Sequence, residues 1–183
     1  MEALIMKLIE LFGLAFIIAF IASQGGVSGA YLLVPSQIYI LGLLSPVISS
    51  TNFMYNLLAT PLAIYRYAKE GRLIAPLVIV LAIGGASIVA LILIANLNLP
   101  AYVTAGSTLV ETLTTSATAL VTYSTLGVLP NITVGLSIGI GGLIGSYIGA
   151  SVQKIMPESR IKLMLGIITA LIGVIDLLLH YFI

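Results

Sequence analysis

Apolar residues run along this chain in long stretches, separated by short clusters of glycine, proline, asparagine and charged residues. Stretches of this length, without the two-residue alternation of a strand, predict helices that cross a bilayer, which takes roughly 20 apolar residues. The first runs from about Lys7 to Val34 and is interrupted by Ser23-Gln24-Gly25-Gly26-Val27-Ser28-Gly29. Pro35 and Pro46 bracket a segment, Gln37 to Leu44, that is too short to span and reads as re-entrant or interfacial. Further spans are predicted at about Ser49–Tyr67, Leu73–Ala95, Tyr102–Tyr123, Pro130–Val152 and Ile161–Phe182. The expected fold class is therefore all-α: a polytopic transmembrane helix bundle of about six spans plus a short re-entrant segment. The missing alternation argues against a membrane barrel. Ala19 and Ala22 would permit signal cleavage, but the apolar pattern resumes at once, so the first stretch reads as an uncleaved span.

Composition supports lipid as the solvent. The chain has 183 residues, of which 60% are hydrophobic and 7% charged, and its mean hydropathy is +1.23. A soluble domain carries about 25% charged residues. A net charge of +1 argues against a nucleic-acid partner. There are no cysteines and one histidine, His180, so thiol chemistry and a zinc or haem site are not expected, and no cofactor is expected. Nor does a catalytic constellation appear: there is no Ser/His/Asp arrangement in register and no Gly-x-x-x-x-Gly-Lys loop. The chain is read as not an enzyme.

An internal repeat divides it into residues 1–95 and 96–183. Ser50-Thr51 opens the second span and Ser107-Thr108 the fourth. Each is followed by a polar-dotted helix and then Tyr-x-x-x-Gly, at Tyr67 to Gly71 and Tyr123 to Gly127. Each half then has a proline (Pro76; Pro130) and a Gly-Gly pair (Gly84-Gly85; Gly141-Gly142). Duplicated halves are common in secondary transporters, with the site at their interface. Charge placement conflicts with a simple count of crossings. The loops at 66–72 and 154–162 are both basic and both read as cytoplasmic, yet three predicted spans lie between them.

Four polar features carry the candidate chemistry. The break at Gly25, Gly26, Ser28 and Gly29 favours unwinding, which is tolerated at membrane depth only where the backbone is buried or lines a cavity. A helix that starts there directs its positive end at an anion. Hydroxyl and amide stripes form the second feature. On the fourth span Ser107, Glu111, Thr114, Thr118, Thr122 and Thr125 recur at helical spacing, and on the second span Ser49, Asn52, Asn56, Thr60 and Ala63 do so. The two stripes are expected to face one another across a pathway. The third is Glu111, a protonatable carboxyl within an apolar span, suited to proton coupling. The fourth is Ser137, Gly141, Gly145 and Gly149, a small-residue face assigned to close helix packing. Asp176 and His180 read as an interfacial pair.

At these residues the chain resembles the sulfite exporter TauE/SafE family, which moves small sulfur-containing and related organic anions. The resemblance rests on Gly25-Gly26-Val27-Ser28-Gly29 with Val34-Pro35, on the helix starts Ser49-Ser50-Thr51-Asn52 and Ala105-Gly106-Ser107-Thr108, and on the two Tyr-x-x-x-Gly ends. It also rests on Gly141-Gly142-Leu143-Ile144-Gly145 to Gly149-Ala150 with the basic loop Lys154 to Arg160. It implies a multi-pass cell-membrane transporter. Family members carry a second Gly-rich, Val-Pro opening that Ala95 to Pro100 does not repeat, so a homodimer or a further segment would complete a two-sided site.

The resulting expectation is a secondary transporter for a small anion such as sulfite or an organosulfonate, working in a lipid bilayer. Gly25, Gly26, Ser28, Gly29, Ser50, Thr51, Asn52, Asn56, Ser107, Thr108 and Thr112 are expected to bind the anion and Glu111 to couple protons. The alternative is a non-transporting membrane subunit or scaffold.

Overall fold

The computed structural model describes residues 2–42, 45–74, 76–79 and 100–182, and within these every regular element is helical. Helix α1 (Glu2–Gln24) is followed by an irregular stretch, a short 3-10 turn (Tyr31–Leu33) and α2 (Val34–Leu41). Then come α3 (Ser45–Ala59), α4 (Pro61–Lys69), α5 (Ala101–Thr125), α6 (Ile132–Gln153) and α7 (Glu158–Phe182). The expected third span and the Gly84-Gly85 half of the repeat lie largely outside the described residues, and so do the side chains of Asp176 and His180. Among the described residues, α1 and α6 are long and apolar enough to cross a membrane by length and composition.

Several predicted boundaries move for identifiable reasons. The first helix stops at Gln24, not at Val34. Gly26 adopts φ +68°, open to glycine at little steric cost, and reverses the chain. A side chain there would overlap Thr108 Oγ1 and the Ala105 backbone. The returning segment runs back along α1: Gly29 abuts Ile18 and Tyr55, and Ala30, Leu32 and Leu33 pack with Leu11, Ala15 and Ile18. The predicted second span is two helices, α3 and α4, divided at Thr60. Pro61 cannot donate to the Leu57 carbonyl, which bends the helix. Around the bend, Thr60 Oγ1 donates to Asn56 O at 2.8 Å, and Ser146 Oγ donates to the carbonyl of Ala59. The loop before the last helix is shorter than expected, because α7 begins at Glu158.

α6 is the hub, and its two small-residue faces explain why. Toward α1, Ser137 Oγ donates to Leu8 O at 2.7 Å and Gln153 Nε2 donates to Gln24 O. Between these bonds, a methyl at Gly141, Gly145 or Gly149 would overlap the carbonyl oxygen of Phe12, Phe16 or Phe20. Every partner on α6 is 129 residues beyond its partner on α1, so the helices run parallel in one fixed register. Glycine lets backbones approach this closely, and Cα–H groups then meet carbonyl oxygens. Toward α3 and its end, Gly135 abuts Met54, Gly139 abuts Leu58, and Gly142 abuts Tyr55 and Ala59. The packing role expected for Gly141, Gly145 and Gly149 is the one observed.

The two Tyr-x-x-x-Gly motifs form the same helix end. Arg72 N donates to Tyr67 O at 2.9 Å and Gly71 N to Ala68 O at 3.0 Å. Val128 N donates to Tyr123 O at 2.9 Å and Gly127 N to Ser124 O at 3.1 Å. Both glycines have positive φ, +68° and +80°. These are Schellman caps, which satisfy the last carbonyls of α4 and α5. The charge conflict is also resolved. Lys154, at the end of α6, reaches Glu70, at the end of α4, across 3.8 Å, so both basic loops share one side of the bundle.

Candidate functional site

The glycine break is the most thoroughly enclosed irregular segment described. Residues 22–30 are buried without exception. Its N-terminal side closes α1: Gly25 N donates to Ala22 O at 3.1 Å, Gly26 N to Ser23 O at 3.2 Å and Val27 N to Ala22 O at 3.0 Å. Tyr67 Oη, from α4, donates to Ser23 O at 2.9 Å. Irregular backbone therefore sits inside protein, the condition under which a bilayer tolerates it.

At Ser28 a polar chain crosses the bundle. Ser28 Oγ donates to Asn56 Oδ1 at 2.8 Å, and Asn56 Nδ2 donates to Ser116 Oγ at 2.9 Å. Ser28 Oγ also accepts from Ala30 N at 3.2 Å. Break, α3 and α5 are thus joined by three side chains. Phe53 and Tyr123, with ring centroids 5.4 Å apart, hold α3 and α5 together nearer the far end. Beside the chain lies a cavity of about 10 Å³, bordered by Ser23, Val27, Ser28, Asn56, Thr60 and Ser146 among others. That is about the room for one water.

The predicted site residues are all buried, but they divide into groups. Ser28, Gly29 and Asn56 meet at the polar chain, with Gly26 and Thr108 in contact just beyond it. Gly25 abuts Leu165 of α7. Asn52 accepts from Gln37 Nε2 at 2.6 Å, and Thr51 Oγ1 accepts from Asn131 N at 2.9 Å, tying α3 to α2 and to the start of α6. Ser50 Oγ finds no partner among the described residues. Ser107 Oγ bonds the backbone of Ile74, and so faces the segment after α4 rather than the break. Glu111 is 5% exposed and accepts from Thr115 Oγ1 at 2.6 Å. Thr112 is buried on α5.

One expectation is corrected. The α5 stripe does not face the α3 stripe along its length. Thr114, Thr118, Thr122 and Thr125 are exposed and donate to backbone carbonyls three or four residues earlier. They serve their own helix, as threonines in apolar helices commonly do. The buried polar residues of α5 are Thr104, Ser107, Thr108, Glu111, Thr112 and Ser116; of these Ser116 meets α3 through Asn56, and Thr108 lies against Gly26 of the break. Sequence reasoning passed over Ser116, which the spacing from Thr112 could have supplied. It also passed over Gln37, Gln153 and Arg72.

At the shared basic end lies a second, larger cavity of about 610 Å³, bordered by Glu70, Arg72, Gln153, Lys154, Met156, Glu158 and Ile161 among others. Glu70 holds Arg66 at 2.8 Å, Arg72 at 2.9 Å and Lys154 at 3.8 Å. Arg72 Nη1 donates to Gln153 Oε1 at 3.0 Å, and Gln153 in turn donates to Gln24 O at the lip of the break.

Two apolar helices of spanning length, glycine-packed, beside a buried unwound segment fit an integral membrane protein. The family model of the sulfite exporter TauE/SafE matches residues 80–175, just over half of the chain. The chain belongs to that family, whose members are membrane transporters rather than enzymes. The matched region holds α5, α6 and most of α7, while the break and Asn56 precede it. Neither the curated proteins nor the solved structures give a match.

Proposed function

We propose that the chain carries a small oxyanion, sulfite or an organosulfonate, across the cell membrane and binds it where Ser28, Asn56 and Ser116 meet. The observation that carries this reading is the unwound segment, wholly buried yet threaded by hydroxyl and amide groups from three elements. Hydroxyl and amide donors hold an anion without a fixed counter-charge, so it binds and also leaves. The cavity in this conformation takes one water, so an oxyanion enters only when α3 and α5 part from the break. That requirement is what alternating access supplies.

Glu111, buried on the same helix five residues from Ser116, is the proton-coupling candidate. A homodimer is the proposed means of completing the pathway. The scaffold reading is favoured by one fact: every side chain of the polar chain already has a protein partner. Radiolabelled sulfite flux in proteoliposomes separates the two. Transport that is lost in a folded Asn56→Ala variant supports the site, and no flux from the unaltered protein overturns it.

A further inference from the structure

The two cavities are separated by a thin apolar layer. Ala22 and Val27 border the small cavity, while Met156 and Ile161 border the large one. These four residues belong to a single packed cluster, completed by Ile21 and Leu165. The lining of the large cavity pairs Arg72 and Lys154 with Glu70 and Glu158, and the adjoining Arg66, on Glu70 at 2.8 Å, and Lys162, on Glu158 at 3.2 Å, tip the neighbourhood positive, four cations to two anions. A mouth set in surplus positive charge raises the local concentration of anions. Its volume lies within the roughly 300–1,000 Å³ range of small-molecule pockets.

We propose that these cavities are the two ends of one path: the large one is a vestibule that collects an oxyanion, and Val27, Met156 and Ile161 form the gate to the inner site. The inference rests on the binding reading above and adds the entry route and its control. Two latches hold the gate. One is Lys154 on Glu70, joining the ends of α6 and α4; the other is the Arg72–Gln153–Gln24 relay, which ties the vestibule to the last turn of α1. Ile161 lies in the first turn of α7, so a small outward swing of that helix end uncovers Val27.

The test uses the absence of cysteine in the chain. Thr60→Cys places a thiol on the inner cavity, and its labelling by a sulfonate-bearing thiosulfonate reagent is timed in nanodiscs. Ile161→Ala, and separately the milder Met156→Ala, are expected to raise the labelling rate at least about fivefold. Lys154→Gln is expected to slow the anionic reagent relative to a cationic one, and added salt to do the same. Unchanged labelling in both Ile161→Ala and Met156→Ala overturns the gate. Sulfite flux measured beside it keeps the two ideas apart. Faster labelling with full flux in Asn56→Ala upholds the gate and removes the binding site. Flat labelling with flux lost in Asn56→Ala does the reverse.

Discussion

Asn56 offers the sharpest test, because a structural role and a binding role predict different numbers. Its amide bridges two hydrogen bonds, to Ser28 and to Ser116. An interhelical bond in a bilayer is worth ~0.6 kcal/mol on average and up to about 1.7. Asn56→Ala therefore costs about 1–3 kcal/mol of stability, a few degrees in thermal unfolding. Binding adds a separate effect. A hydrogen bond to a charged group contributes about 1.5–3 kcal/mol, so losing it weakens anion binding ~10- to 150-fold. The expected result is a sulfite KM raised by that factor in proteoliposomes, with the melting temperature only modestly lowered. Asn56→Asp sharpens the contrast: it keeps the shape and the bond from Ser28, but places negative charge where the anion must sit, so transport should vanish. A folded Asn56→Ala protein with an unchanged KM, or an Asn56→Asp protein that still transports, would refute the reasoning.

Other expectations concern the scaffold and the coupling. Gly145→Ala should cost about 1–3 kcal/mol in a detergent melting assay, because the methyl meets the Phe16 carbonyl and neither backbone can yield alone. Gly127→Ala, at φ +80° with open space around it, should cost only about 1 kcal/mol, the price of backbone conformation without any clash. Thr118→Val and Thr122→Val should leave sulfite flux within twofold, since both hydroxyls face outward and bond their own helix; a strong loss would return the α5 stripe to the pathway. Glu111→Gln should abolish the dependence of flux on an imposed pH gradient while leaving downhill exchange measurable, and full retention of that dependence would end its coupling role.

The features legible in the sequence were those with a local cause. Three glycines among Ser23, Gln24 and Ser28 cannot hold an apolar helix together, and the chain breaks there. Tyr-x-x-x-Gly announced two helix ends because only glycine readily takes the left-handed cap position. Gly141, Gly145 and Gly149 announced a tight contact, though not that α1 would be the partner. What stayed hidden depends on rotation and pairing. Spacing on α5 fixes which residues share a face, not which way that face turns, so it groups Thr118 and Thr122 with Ser107 and leaves Ser116 out. Pro61 stands in an apolar run that is continuous on either side, so the pattern alone predicts one span where the structure has two helices. The basic loops conflict in a count of predicted crossings, and the Lys154–Glu70 contact, which no sequence pattern announces, places them on one side of the bundle.

The fixed register of α1 against α6 has a consequence for how the protein is made. Partners on the two helices are 129 residues apart in the chain. A ribosome adding about 5–20 residues per second needs roughly 6–26 s to cover that distance. Throughout that interval the newly inserted α1 waits in the membrane with the carbonyl face meant for Gly141, Gly145 and Gly149 still uncovered. Any companion that shields nascent helices would be needed most in that window, and a substitution that roughens the glycine face would be felt first as lost yield.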